Sequence, residues 1–233
     1  MPSTTASRRP VSAAQEDYLK ALHRLGANHR MVATAELAQE LGISTASVSE
    51  MLAKLAARSL VLHDPYKGSR LTLRGSSVAV EMVRRHRLLE TYLVKALGFR
   101  WDQVHDEADR LEHVISSQLE QRIWEVLQHP EVDPHGDPIP GPDGSVKPSA
   151  STILSQCAVG AEVRIARVSD RDEEKLKAIA ELGLEPGVWV IIHAEPRWEG
   201  PLEVDIDGRI VPVPPGLARE IFVDEEAAIT AET

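Results

Sequence analysis

The chain has 233 residues and a single cysteine, Cys157, so no intrachain disulfide can form. That scarcity is what a reducing cytoplasm leads one to expect. Aromatic residues make up 4% of the chain. The core must therefore come from Ala, Leu, Val and Ile, which suits helices and small modules. No apolar run approaches the ~20 residues of a membrane span, so no membrane partner is expected. The opening MPSTTASRRP carries charge but no apolar stretch. It reads as a disordered tail over residues 1–12 rather than a secretory signal, and residues 227–233 read as a second tail. No internal repeat is visible.

Charge is present in quantity but unevenly placed. The net charge is −10, which alone argues against nucleic acid. Residues 1–75, however, hold 10 Lys/Arg against 6 Asp/Glu, a net of +4, whereas residues 76–233 hold 16 against 30, a net of −14. A basic head can meet phosphate and an acidic body can take up cations.

The basic head, residues 13–74, reads as a winged helix-turn-helix. Tyr18, Leu19, Leu22 and Leu25 form the stripe of a first helix over 13–26, ended by Gly26. Thr34 is a candidate N-cap for a short helix over 35–41, Gly42 breaks it, and Ser44 caps a second helix near 45–58. Leu37, Leu41, Ile43, Val48, Leu52 and Leu55 are the expected inward positions. LVLHD and RLTL, separated by PYKGS, then form a hairpin, the wing. Small hydroxylated residues, Ser44, Thr45, Ser47 and Ser49, gather where a reading helix would begin. Thr34, Lys54, Arg58, Lys67 and Arg70 are candidate phosphate contacts. In a lone capped helix these hydroxyls would simply face water. Helix-turn-helix, wing and local positive charge in this order point to double-stranded DNA. The scarcity of Arg on the reading face predicts modest direct base readout, with phosphate contacts and groove shape more important.

The acidic body begins with helices, over 74–98 and 102–128, in a domain spanning 75–128. Two polar stripes lie on them. His86 and Glu90 stand four residues apart, and His105, Asp109, Glu112 and His113 fall within an arc of roughly 100° on a helix. These nitrogen and oxygen donors, with no sulfur among them, suit a divalent first-row metal ion. A charged helical stripe is often only a solvated face. Here Val104, Ala108, Leu111, Ile115, Leu119 and Ile123 need burial, so the donors border a packed surface. His86, Glu90 and His105 make one set. Asp109, Glu112 and His113 make another that wants a further donor, for which Asp17 on the first helix is available. An ion closing that second set would tie the DNA-reading head to the body.

Residues 129–148 hold six prolines and three glycines, and read as a linker or an irregular loop packed on the body. Residues 149–226 carry short β-like runs (AEVRIARV, VWVIIHAE, LEVDI, RIVPV, EIFV) and one helix near 172–182, the pattern of a small barrel. The expected fold is mainly α with β: a winged helix-turn-helix, a central helical domain and a C-terminal β-barrel.

VRRHRLLE (83–90), VHDEADRLEHVISSQLEQRI (104–123) and HGDPIP (135–140) resemble the diphtheria-toxin-repressor family of metal-dependent transcription regulators, from about residue 13 to 226. The resemblance implies a homodimeric repressor of metal-uptake genes rather than an enzyme. It also implies a central dimerisation domain and a C-terminal barrel like those of SH3 and FeoA domains. Carried over by position, the primary metal site is Asp17, Asp109, Glu112 and His113, and the ancillary site His86, Glu90 and His105. Asp170, Asp172 and Glu173 lie where the barrel of iron-type members adds ligands, and the alternative for them is an exposed acidic loop. Iron-type members usually carry Met and Cys at the positions of Asp17 and Asp109. Acids there harden the site toward Mn(II), with Fe(II) as the alternative and Co(II) or other divalent ions as surrogates. Lys20, where manganese-type members commonly have a second acid, and the barrel itself are departures from the manganese pattern. A di-metal hydrolase built on the same donors would leave the helix-turn-helix unexplained. A winged-helix regulator with purely structural metals is the other rival.

Overall fold

The structure, a computed structural model, describes residues 11–194 and 200–224. Residues 1–10 and 227–233 of the expected tails lie outside the described residues, as does Glu195 at the end of one expected β-run. Val11 and Ser12, read as tail, are part of the fold. Val11 packs on the core, and the Ser12 backbone N–H donates to Gln15 Oε1 at 3.3 Å, closing the first helical turn. The chain divides into two compact units, one running to Arg84 with Pro142–Gly144, the other comprising Arg85–Gly141 and Ser145 onward.

In the first unit, α1 (Ala13–Arg24), α2 (Thr34–Leu41) and α3 (Thr45–Ala57) precede a hairpin of β1 (Val61–Asp64) and β2 (Gly68–Leu71), and α4 (Leu73–Leu97) begins. Leu19, Leu22, Leu37, Val48, Leu52, Leu55 and Leu60 are completely or almost completely buried together, as helical spacing requires. Gly42 adopts a left-handed conformation (φ 65°) at the C-cap of α2, and Ser44 Oγ accepts from the Ser47 N–H at 3.2 Å to start α3. Two expectations need correction. Ile43 is not inward but 41% exposed, because the tight turn carries it past the core. Thr34 is the first residue of α2, not its cap. Ala33 holds that place, and its N–H is satisfied by Glu36 Oε1 at 3.1 Å.

The second unit joins a helical layer to a sheet. The single helix expected over 102–128 is instead a 3-10 turn (Trp101–Gln103), α5 (His105–Glu112) and α6 (Ser117–Val126). The β-branched pair Val114–Ile115 follows the end of α5, and Ser116 opens a new helix by accepting from the Leu119 N–H at 3.2 Å. α6 stops before residue 128 because Gln128 and His129 are left-handed (φ 60° and 61°). Leu88, Leu89, Leu93, Val104, Ala108, Ile123 and Ile139 form the core of this layer. Leu119, expected inside, is 47% exposed.

The remaining strands are β3 (Thr152–Ile153), β4 (Glu162–Val168), β5 (Trp189–Ala194), β6 (Leu202–Ile206), β7 (Arg209–Val213) and β8 (Ile221–Val223). They pair antiparallel in the order β3-β8-β4-β5-β6-β7. Alternate residues Val163, Ile165, Val190, Ile192, Val204, Val211 and Val213 face a second core, with α7 (Glu173–Glu181) supplying Leu176 and Ile179 and α8 (Pro215–Ala218) supplying Ala218. Among the described residues no helix is long and apolar enough to cross a membrane.

Candidate metal centre and DNA-reading face

On the reading head, Ser44, Thr45, Ser47, Ser49, Lys54, Lys67 and Arg70 are exposed, while Thr34 and Arg58 are half-buried. Several polar groups are already engaged. Ser47 Oγ meets Ser44 Oγ at 3.0 Å, Ser49 Oγ donates to the Thr45 carbonyl at 2.8 Å, Lys54 pairs with Glu50 at 2.7 Å, and the Arg58 guanidinium donates to Gln15 Oε1. Tyr66, which composition did not single out, stands 97% exposed at the wing tip, in a turn held by the Asp64 carboxylate accepting from the Tyr66 and Lys67 N–H groups.

Within the second unit, helical spacing places His86 and Glu90 on one face of α4, and His105, Asp109 and Glu112 on one face of α5. The two predicted sets share a side chain. His86 Nε2 lies 2.9 Å from Glu90 Oε1 and 3.1 Å from His105 Nδ1. Its Nδ1 lies 2.6 Å from Glu112 Oε2 and 3.1 Å from Asp109 Oδ1. In the neutral ring, donation from Nδ1 to Glu112 would leave the Nε2 lone pair free for an ion, the arrangement by which a carboxylate orients a ligating imidazole. Donor atoms of His86, His105 and Asp109 lie within 4.8 Å of one another. His113 caps the C-terminal end of α5, with Nε2 at 3.6 Å from Glu112 Oε1. Asp17 is exposed on α1 of the first unit, and its membership of the primary set rests on the sequence pattern.

The sheet side contributes unequally. Asp170 offers a carboxylate oxygen within 4.8 Å of donors from Glu90 and His105. Glu173 lines the same crevice, but its carboxylate meets Lys177 Nζ at 2.5 Å, and Asp172 is spent capping α7 through the Glu174 and Lys175 N–H groups.

Two donors had not been singled out. Asp133 and His135 lie in the proline-rich loop, which is packed on the body rather than acting as a linker: Asp133 and His135 are buried, and Val132 bridges to Pro138. Asp133, Glu90 and His135 bring donor atoms within 4.8 Å of one another. His135 Nε2 donates to the Trp101 carbonyl at 2.8 Å, so in the neutral ring Nδ1 carries the lone pair. That Nδ1 faces Glu90 Oε2 at 3.6 Å, and both atoms are buried without a hydrogen bond. In that neutral form two facing acceptors call for a positive charge, which a proton on Nδ1 supplies in the metal-free chain and a divalent ion, which the donor set fits, could supply in its place. Periodicity could not have found these residues. The signal was compositional, three ionisable side chains in D-P-H-G-D within a loop otherwise rich in proline.

The loop is anchored by charge and by one glycine. Arg87, beside His86 on α4, donates to the Pro138 carbonyl at 2.7 Å and reaches Asp133 and Asp137 at 3.3 Å each. Asp133 also accepts from the His135 and Asp137 N–H groups, both at 2.9 Å. Gly136 is left-handed (φ 86°), and a Cβ there would stand 2.0 Å from the Ala166 carbonyl oxygen on β4. The buried charges move one another. Burial opposes a charged His86, yet Glu90, Asp109 and Glu112 hold its pKa well above the ordinary value. Burial likewise opposes charge on His135, but Glu90, Asp133 and Asp170 push it up to about 9. Burial, with Glu90 and Asp137 nearby, pushes Asp133 up to about 8.

Comparison with known proteins agrees with this architecture. Residues 11–69 match the family described as iron dependent repressor, N-terminal DNA binding domain, residues 72–141 the iron dependent repressor metal binding and dimerisation domain, and residues 152–225 the FeoA domain. The diphtheria toxin repressor of Corynebacterium glutamicum is 30% identical over 228 residues, covering 93% of this chain and 95% of that protein. Among solved structures, a manganese-dependent transcriptional repressor in complex with manganese is 40% identical with a TM-score of 0.80, covering 90% of this chain and 98% of that one. ScaR with bound Zn2+ is 30% identical with a TM-score of 0.75, covering 90% and 98%. The chain thus belongs to the iron-dependent repressor family typified by the diphtheria toxin repressor, and it is a metal-dependent, DNA-binding transcriptional regulator, not an enzyme.

Proposed function

We propose that this regulator is a Mn(II)-activated homodimeric repressor of metal-uptake genes, acting on operator DNA in the cytoplasm. The observation that carries the choice of ion is the donor set. Its carboxylates and imidazoles include no sulfur, and such a set favours a harder, oxygen-preferring ion. The likeness to a manganese-dependent repressor supports this reading, while the iron-dependent relatives keep Fe(II) as the second reading.

In this assignment Asp17, Asp109, Glu112 and His113 hold the primary ion, and His86, Glu90 and His105 the ancillary one. Asp170, His135 and Asp133 are added to the ancillary set by their position around Glu90. The bound ion supplies a positive charge that gathers carboxylates from separate elements. The protein's own part is to present neutral imidazole nitrogens, through the Nδ1–Glu112 and Nε2–Trp101 hydrogen bonds, and to exclude water by burial. Lys20, buried one turn after Asp17, puts a cation where a second primary-site ion would need an acid. Exposed Leu97, Phe99, Val114 and Val126 in the helical layer support a dimer interface.

The test is binding of duplex DNA upstream of metal-uptake genes, titrated with Mn(II), Fe(II), Co(II) and Zn(II), and with chelator. Activation at the lowest free concentration relative to each ion's ordinary affinity order is expected for Mn(II). Metal-independent binding would overturn metal activation, and identical Mn/Fe preference after Asp17→Met would overturn the hard-ligand argument. Sedimentation should give a particle of twice the 25.6 kDa chain.

A further inference from the structure

On α3 the core residues Val48, Leu52 and Leu55 point one way. At ~100° per residue, Glu50 lies roughly 200° from Val48, at the centre of the opposite, exposed face. Ala46 and Ala53 flank it on one side and Ser47 and Lys54 on the other, so Glu50, 70% exposed, and its partner Lys54 are the long side chains on an otherwise short-sided surface. The hydroxyls of Ser47 and Ser49 are engaged within the helix. Glu50 is paired with Lys54 at 2.7 Å, one turn along.

A carboxylate in this place opposes DNA binding unless it meets a donor, because phosphates and most base-edge atoms repel it. In the major groove the donors are cytosine N4 and adenine N6. Adenine sets the N7 acceptor beside its donor, and guanine and thymine offer acceptors at the matching edge. Cytosine presents its amino group with no acceptor on its own major-groove edge, the nearest being O6 of the paired guanine. Lys54 is placed to neutralise the carboxylate or to turn to a phosphate once Glu50 is satisfied. We infer that Glu50 is a specificity-determining residue that reads a cytosine amino group in each half-site, accepting its N4–H through the exposed carboxylate.

The inference rests on α3 being the reading helix. It is tested by selecting bound duplexes from a randomised DNA library with the Mn(II)-loaded full chain and with Glu50→Gln and Glu50→Ala. The native chain should enrich cytosine at one symmetric pair of positions by about tenfold over the other bases. Glu50→Ala should lose that preference while gaining affinity for unrelated DNA, and Glu50→Gln should shift it toward adenine. Loss of an exposed ion pair leaves folding intact, which thermal melting of each variant checks. An unchanged motif in both variants overturns base reading by Glu50 and leaves the repressor assignment standing. No enriched motif with any chain overturns both.

Discussion

His135 Nδ1 and Glu90 Oε2 lie 3.6 Å apart, both buried and neither hydrogen-bonded. Burial makes an unsatisfied acceptor costly, and with a neutral imidazole the two facing acceptors compound the cost. A proton on Nδ1 relieves it in the metal-free chain, and a metal ion that displaces the proton would relieve it in the same way. This pair joins a helix residue to a loop residue 45 positions away, and in the proposed ancillary site it would tie the loop to metal occupancy.

Replacing His135 by Ala should therefore weaken Mn(II) binding by roughly tenfold or more. Calorimetric titration measures it, and thermal melting of the metal-free chain separates loss of a ligand from loss of the fold. Unchanged affinity would remove His135 from the set.

Metal binding should release protons. His135 is pushed up to about 9, so its imidazole is protonated in the metal-free chain near neutrality, and His86 is shifted in the same direction by Glu90, Asp109 and Glu112. Neutral imidazole is the ligand. Apparent affinity should then rise with pH until about 9 and fall below it. Titration calorimetry in buffers of different ionisation enthalpy counts the protons. The raised pKa carries a second consequence for the metal-free chain. His135 contributes stability that is fully present below the ordinary value of about 6.5 and is lost as pH rises through about 9.

Arg87→Ala should destabilise the chain by about 3 kcal/mol, because it takes the guanidinium from buried Asp133 and leaves Asp137 only the longer pair with Arg167 at 3.8 Å. Urea unfolding reads the loss. Arg87→Ala combined with Asp137→Asn should recover part of it.

Gly136→Ala should lower stability by at least about 1 kcal/mol and weaken metal binding with it. The left-handed φ of 86° and the carbonyl 2.0 Å from the added Cβ force the loop off β4, taking His135 along. Equal Mn(II) affinity in this variant would show that the loop position does not govern the ligand.

Asp109→Ala or His113→Ala should abolish metal-activated DNA binding while leaving the fold melting cooperatively. Electrophoretic mobility shifts with and without Mn(II) measure it, and unchanged operator affinity would refute the primary-site assignment.

Local pattern sufficed for the helix-turn-helix, the wing, the strand runs and the donor pairs on α4 and α5. Each depends on spacings of two, three or four residues, which the backbone converts directly into a shared face. The break at Val114–Ile115 was harder to see. Its cause is a cap and two β-branched residues inside an otherwise continuous helical pattern. What tertiary structure alone decided is which donors meet. Asp133 and His135 have no periodicity to mark them, and they reach Glu90 because Arg87, Gly136 and the Trp101 carbonyl hold an irregular loop against the body. Contacts of that kind depend on long-range packing, whereas the chemistry of the ligand set, oxygen and nitrogen without sulfur, is written in the residues themselves.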